Sequence, residues 1–213
     1  MNIPVLVLSG ITSDNPFLPD AEGVDLSAAM GSVQIDFGSS DFVSSAWQKL
    51  LPTGTDYAGA AAPYGIDEVQ ATSSTGSLSR CLVSASESFF DTTTAEDVDS
   101  ENAGYIFVSA EGGETGNPVT TVDSGDIYFK NLDPYKQYSI TLLARRVPSG
   151  SLNRVGDYSI NGGLTQTIDG NANSTPAEWT DISPDAEGTI TLTVAKNGRS
   201  GFAYVNWVVI NEQ

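Results

Sequence analysis

The chain has 213 residues, with 27 acids against 9 bases, no histidine and a single cysteine, a length that suits one domain or one domain with an arm. The missing histidine excludes Ser-His-Asp and Cys-His catalysis, His-ligated zinc and an imidazole pH switch. A net charge of -18 repels phosphate backbones, so nucleic acid and anionic membrane are disfavoured, and cations, neutral sugars and other proteins remain as partners.

Charged residues make up only 17% of the chain, so much of the polar surface falls to Ser, Thr, Asn and Gly, as in extracellular-type β proteins. Cys81 has no partner for an intrachain disulfide and reads as a buried, inert thiol.

Residues 1–30 read as an extended N-terminal arm. Pro4, Pro16, Pro19, Gly10 and Gly23 break any long element, and Val5 to Leu8 suffices only for a short strand. The start lacks a basic n-region and runs into Asp14, Asp20, Glu22 and Asp25, which does not fit a signal peptide. No stretch reaches the roughly 18 apolar residues of a membrane span. A secreted-type composition without such a signal suits a virion component released by lysis, or a module excised from a larger exported protein. The arm is expected to contact a neighbouring subunit.

Residues 31–213 read as one β-sandwich. In Val33-Gln-Ile-Asp-Phe37 apolar and polar residues alternate, which predicts a half-buried strand. Between 38 and 104 the pattern weakens: Ala46 to Leu51 suits one or two helical turns, while Ala58 to Pro63 and Thr72 to Ser79 are loop-like. Tyr105 to Val108 is a short apolar run. Ile127-Tyr-Phe129 leads through the turn Asn131-Leu-Asp-Pro134 into Tyr138 to Ala144, where Tyr138, Ile140, Leu142 and Ala144 share a face. Tyr158-Ser-Ile160 stops at Asn161-Gly162-Gly163. In Thr189 to Ala195, Ile190, Leu192 and Val194 point inward and the threonines outward, followed by a turn at Asn197-Gly198 and a last apolar run from Phe202 to Ile210. Ile190, Leu192 and Val194 are expected to be buried with Ile140 and Leu142.

Five stretches carry a family resemblance: Ile127-Tyr-Phe-Lys-Asn-Leu-Asp-Pro-Tyr-Lys-Gln-Tyr138, Ala144-Arg-Arg146, Tyr158-Ser-Ile-Asn-Gly162, Ser183-Pro-Asp-Ala-Glu-Gly-Thr-Ile-Thr-Leu-Thr193, and Gly201-Phe-Ala-Tyr-Val-Asn-Trp-Val-Val-Ile210. Across roughly 125–211 the chain resembles the galactose-binding-like jelly-roll domains of carbohydrate-binding modules and of appended domains in bacterial surface and phage proteins. The resemblance implies an all-β antiparallel β-sandwich, here with an extended N-terminal arm. It also implies a possible structural calcium, held by Asp97, Asp99 and Glu101 or by Asp169, Asn171 and Asn173. Neither set has EF-hand spacing, ordinary solvated turns explain both, and no metal ligand or cofactor is assigned.

An exposed aromatic face stacks on a pyranose while amide and guanidinium groups bind its hydroxyls. Trp179, in the polar Asn171 to Asp181 segment, is therefore the leading glycan-binding candidate, with Trp47, Arg146 and Asn171; Trp207 reads as core. Arg145, Arg146 and Arg154 place three of the nine positive charges within ten residues, with an internal carboxylate as the expected partner. No catalytic residue is assigned. Glu111 and Glu114 form the sole closely spaced Glu pair in a Gly-rich loop, and no P-loop, dinucleotide fingerprint or nucleophile elbow occurs. The chain thus reads as a non-catalytic structural or recognition protein: first a phage virion-surface protein (capsid decoration or fibre-associated), alternatively a carbohydrate-binding module of an exported polysaccharide-active protein. Its expected partners are other subunits of an assembly and a cell-surface glycan, at a virion surface or outside the cell.

Overall fold

A computed structural model describes residues 30–37, 48–50, 64–91, 105–109, 122–146, 154–171, 175–198 and 200–213. The described residues form thirteen strands: β1 (Ser32–Phe37), β2 (Gln48–Leu50), β3 (Tyr64–Thr72), β4 (Leu78–Asp91), β5 (Ile106–Ser109), β6 (Ser124–Lys130), β7 (Tyr138–Leu143), β8 (Val155–Ile160), β9 (Thr165–Asp169), β10 (Ala177–Ile182), β11 (Ile190–Lys196), β12 (Phe202–Val205) and β13 (Trp207–Glu212). They lie in two sheets. One has the order β10-β7-β13-β1-β2, and the other β12-β5-β4-β6-β11-β8-β9 with β3 paired to β4. Every pairing is antiparallel except that of β1 with β2. The chain is an all-β antiparallel sandwich, and no helix long and apolar enough to cross a membrane occurs among the described residues.

The core lies between the sheets because the period-two strands present one apolar row each. Ile190, Leu192 and Val194 of β11 and Ile140 and Leu142 of β7 belong to opposite sheets, are all 0% exposed, and share one cluster. The phase expected from the threonines is therefore the one adopted. Cys81 is buried in the same cluster, and desolvation pushes its thiol up to about 12, with nearby Arg80 opposing. The turn Asp185 to Thr189 depends on Gly188. Its φ is +75°, its carbonyl accepts from the Leu132 N–H at 2.9 Å, and a Cβ there would strike the Leu132 carbonyl oxygen.

Several expectations are corrected. Gln48–Leu50, in the segment whose pattern suits one or two helical turns, is a strand parallel to β1, because the open edge of β1 offers backbone partners and the Gln48 amide ties it to the other sheet. Gln48 Nε2 donates to Gln70 O at 3.1 Å, and its Oε1 accepts from the Thr72 N–H at 2.7 Å. Of Thr72 to Ser79, read as loop, Thr72 ends β3 and Leu78 and Ser79 begin β4, while the residues between form the hairpin turn, with Gly76 at φ +82° and N–H bonds from Ser73 to Ser77 O and from Gly76 to Ser73 O. Trp207 is half-buried on the face opposite buried Val208 and Ile210, not in the core. Met30, assigned to the arm, is 2% exposed within the core cluster, and its N–H donates to Glu212 Oε2 at 3.3 Å. The sandwich therefore includes it. The rest of the arm, Ala58 to Pro63 and the remainder of the Ala46 to Leu51 segment lie outside the described residues.

Candidate functional site

At the end of the sandwich where β7 ends and β8 begins, the chain crosses between sheets at Asn206, the single residue separating β12 from β13. Asn206 is buried, and three hydrogen bonds fix this end: its N–H donates to Leu143 O at 2.9 Å, its carbonyl accepts from the Phe37 N–H at 2.8 Å, and its Oδ1 accepts from the Arg145 N–H at 2.6 Å. Gly170 then joins the two remaining arginines. The Arg146 N–H donates to Gly170 O at 2.8 Å, and the Gly170 N–H donates to Arg154 O at 3.0 Å. A Cβ at Gly170 would sit 3.0 Å from the Arg154 carbonyl oxygen, a tight contact that would push the two backbones apart by a few tenths of an ångström.

An aromatic layer backs the arginines. Phe90, Tyr105, Phe107, Phe202 and Tyr204 form a second buried cluster, with Tyr105 and Tyr204 edge-on at a centroid distance of 5.0 Å. The Arg146 guanidinium carbon lies 5.7 Å from the Tyr105 ring centre and 5.9 Å from that of Tyr204, within cation–π range, and its Nη1 donates to the Tyr204 hydroxyl at 3.3 Å. Burial raises the Tyr204 phenol above its ordinary pKa, while Arg146 and Arg154 pull it back. Tyr158 is raised too, chiefly by burial, and donates to Tyr204 O at 2.7 Å.

Arg154 is the unusual member. It is 1% exposed; its Nη1 donates to Asn171 Oδ1 at 3.0 Å, its guanidinium lies close enough to the Tyr204 hydroxyl to help lower that phenol's pKa, and its Nε and Nη2 have no acceptor within hydrogen-bond geometry. Among the described residues no carboxylate forms an ion pair with it, whereas Arg80, Lys130, Lys136 and Lys196 are each paired with one. The internal carboxylate expected for this arginine is thus absent from the described residues. A buried charge left without a counter-charge costs several kcal/mol, about 3–5 when a pair is broken, so this guanidinium is a strong unmet demand for an anion.

Asn171 connects Arg154 to the surface. Exposed Asp169 accepts from the Asn171 N–H at 2.9 Å and from its Nδ2 at 3.1 Å through Oδ1. From Asp169 an open groove of about 390 Å³ runs between the edge strands of the two sheets, β9 and β10, lined by Gln166, Thr167, Thr175, Pro176 and Ala177 among others. Its lining offers amide, hydroxyl and carboxylate groups, the partners that sugar hydroxyls use.

The structure brings Arg146 and Asn171 together, with Arg154 as the centre that the sequence left among three equivalent arginines. Trp179 is corrected. It occupies an inward position of β10, is 9% exposed, belongs to the main core, and donates from Nε1 to Leu164 O at 3.4 Å, so it presents no free face for stacking. The alternation Ala177, Trp179 inward against Glu178, Thr180 outward was the signal for this. Trp47, Glu111, Glu114, Asp97, Asp99, Glu101 and Asn173 lie outside the described residues. Of the second calcium set, Asn171 Oδ1 accepts from Arg154 and Asp169 Oδ1 accepts from the Asn171 N–H and Nδ2. Among the described residues no three acidic, Cys or His side chains gather as a metal site.

No protein-family model and no curated protein sequence matches the chain. Among solved structures it is similar to the GH26-CBM35 β-(1,4)-mannanase of Podospora anserina, with 12% identity and a TM-score of 0.35 over 72% of this chain and 28% of that one. It is similar also to a family 35 carbohydrate-binding module from Clostridium thermocellum (17% identity, TM-score 0.29, covering 50% and 86% of the two chains). A third is the family 32 module of C. perfringens NanJ in complex with galactose (18% identity, TM-score 0.32, covering 62% and 94%). The chain thus spans just over a quarter of the mannanase.

Proposed function

We propose that this chain is a non-catalytic recognition module that binds a saccharide carrying an anionic group at its arginine end. The observation that carries this reading is Arg154, a buried guanidinium with two nitrogens lacking acceptors and no carboxylate partner among the described residues. In a chain of net charge -18, such a group discriminates by charge. A ligand carboxylate or sulfate meets the half-buried Arg146 and Asn171 at the surface, with the charge of Arg154 behind them. The ligand's hydroxyls then follow the polar groove between β9 and β10. The saccharide class comes from the sequence resemblance to galactose-binding-like jelly rolls. The absence of histidine from the whole chain supports a non-catalytic role.

The setting has two forms. As a module of an exported polysaccharide-active protein, the chain would hold its neighbouring enzyme on acidic polysaccharide. As a virion-surface protein, capsid-decorating or fibre-associated, it would bind other subunits through its proline-rich arm and a cell-surface glycan through the arginine end. The arm's composition favours the second form, and the site is common to both. Binding to immobilised acidic polysaccharides (polygalacturonate, alginate, chondroitin sulfate) and to neutral ones, with product analysis of the supernatants, tests the proposal. Retention on acidic polymers that is lost in Arg154→Met, without cleavage, is the expected result; retention on acidic polymers that Arg154→Met leaves unchanged, or chain cleavage, overturns it.

A further inference from the structure

The opposite end of the sandwich presents a different surface. The turn between β6 and β7 carries Tyr135 with its side chain in solvent, 96% exposed. The turn that carries it is strongly held. Asp133 Oδ1 accepts from the Tyr135 N–H at 3.0 Å, and the Asp133 carbonyl accepts from the Lys136 N–H at 3.1 Å. The Asp133 N–H donates to the Tyr138 hydroxyl at 2.9 Å, and Asn131, in the left-handed region at φ 60°, donates from Nδ2 to Arg80 O at 3.0 Å. The strand that follows is fixed as well, since the Gln213 N–H donates to Gln137 O at 2.9 Å. The phenol therefore projects from a base that loses little entropy when a ligand docks.

Beside the ring lies a shallow depression of about 500 Å³, lined by Pro134, Lys136, Gln137, Ser183 and Gln213 as well as Tyr135 itself. The Lys136 ammonium pairs with Glu212, whose other oxygen pairs with Arg80 at 2.6 Å, so the two cations share one carboxylate. The depression thus combines one aromatic face with amide and hydroxyl groups. That combination suits the apolar C–H face of a pyranose ringed by hydroxyls.

We propose that Tyr135 and the adjoining Gln137, Ser183 and Gln213 form a second saccharide subsite, at the end of the sandwich away from the arginines, that stacks an uncharged pyranose ring on the phenol. This subsite does not depend on the arginine-end reading. A chain with both sites grips a polysaccharide at two points, or cross-links two.

The test is titration of the full chain with neutral hexasaccharides (β-1,4-xylo-, manno- and cello-hexaose and a β-1,4-galacto-hexaose), followed by calorimetry and by chemical-shift changes in labelled protein. Because the Tyr135 side chain is solvent-exposed, Tyr135→Ala is expected to keep the melting temperature, so a lost signal reports binding. At least one neutral hexasaccharide is expected to bind, with shifts at the Tyr135 turn, at least tenfold weaker binding in Tyr135→Ala, and retained binding in Tyr135→Phe and in Arg154→Met. No binding by any neutral hexasaccharide, or equal binding by Tyr135→Ala, overturns the subsite. An acidic hexasaccharide titrated into the same samples keeps the two proposals apart, since its binding is expected to be lost in Arg154→Met and kept in Tyr135→Ala.

Discussion

Arg154→Met separates a ligand-binding arginine from a structural one, because the two roles move stability in opposite directions. Methionine approximates the length of the arginine stem and fills a buried site without charge. The substitution removes one hydrogen bond, to Asn171 Oδ1, worth about 0.5–1.5 kcal/mol, and that oxygen lies beside solvent-exposed Asp169 where water can replace the donor. Against this loss it removes a guanidinium that is 1% exposed and has no ion-pair partner among the described residues. Even a buried ion pair replaced by well-packed apolar side chains of similar volume is often neutral or stabilising, by about 1–4 kcal/mol, and a buried charge without a counter-charge has less attraction to lose. In the ligand-free chain Arg154→Met is therefore expected to raise the melting temperature, by about 2–4 °C for each kcal/mol gained at this chain length. The assay is a thermal or urea melt of both proteins with and without an acidic oligosaccharide. The ligand is expected to raise the wild-type melting temperature and leave that of the variant unchanged. A variant that melts lower than wild type without ligand would refute the reasoning, because a structural ion pair that loses one partner costs about 3–5 kcal/mol.

Leu192→Ala removes a side chain with no solvent exposure from the centre of β11 and is expected to cost about 2–5 kcal/mol in a denaturant melt, whereas a loss under about 1 kcal/mol would place that strand in a different register. Met30→Ala is expected to cost about 2 kcal/mol or more in the same melt, although its place in the sequence is among the arm residues; an unchanged midpoint would detach Met30 from the core. Alkaline stability follows from buried acids: the Cys81 thiol ionises near 9.0 in the unfolded chain and near 12 in the folded one, so above pH 9 the unfolded state holds fewer protons and stability falls as pH rises. The slope contributed by this thiol is at most about 1.4 kcal/mol per pH unit, and Cys81→Ala is expected to flatten the pH 9–10 segment of a urea-melt series. Tyr138, Tyr158 and Tyr204, all raised by burial, take over from about pH 10 and should keep the decline in that variant.

The residues that announced themselves in the sequence were those whose chemistry repeats along a strand. In β11 three threonines alternate with Ile190, Leu192 and Val194, and that pattern alone set the face, the register and the opposing residues of β7. β4 gave no such signal. Its inward positions Cys81, Val83 and Ala85 are small or moderate, its outward ones are largely serine, and the contrast that periodicity needs is weak. β2 is three residues long and owes its form to the open edge of β1, a tertiary cause with no local mark. At the site, clustering of positive charge pointed to Arg146 and its neighbours. That one of three arginines is buried without a counter-charge depends on strands distant in sequence, joined through Gly170 and Asn206. Trp179 misled because a polar neighbourhood was weighted above the alternation within its own six residues.

The measurement that bears most directly on the arginine end is a calorimetric titration with an oligogalacturonate and with its neutral oligogalactose counterpart, at low and at high salt. The acidic ligand is expected to bind with an affinity that falls as salt rises, the neutral one to leave the arginine-end resonances unshifted, and Arg146→Ala and Arg154→Met each to abolish the difference between the two ligands. Equal affinity for the two sugars in Tyr135→Ala, which lacks the neutral subsite, or preference for the acidic one that survives both arginine substitutions, would contradict recognition of an anion by Arg146 and Arg154.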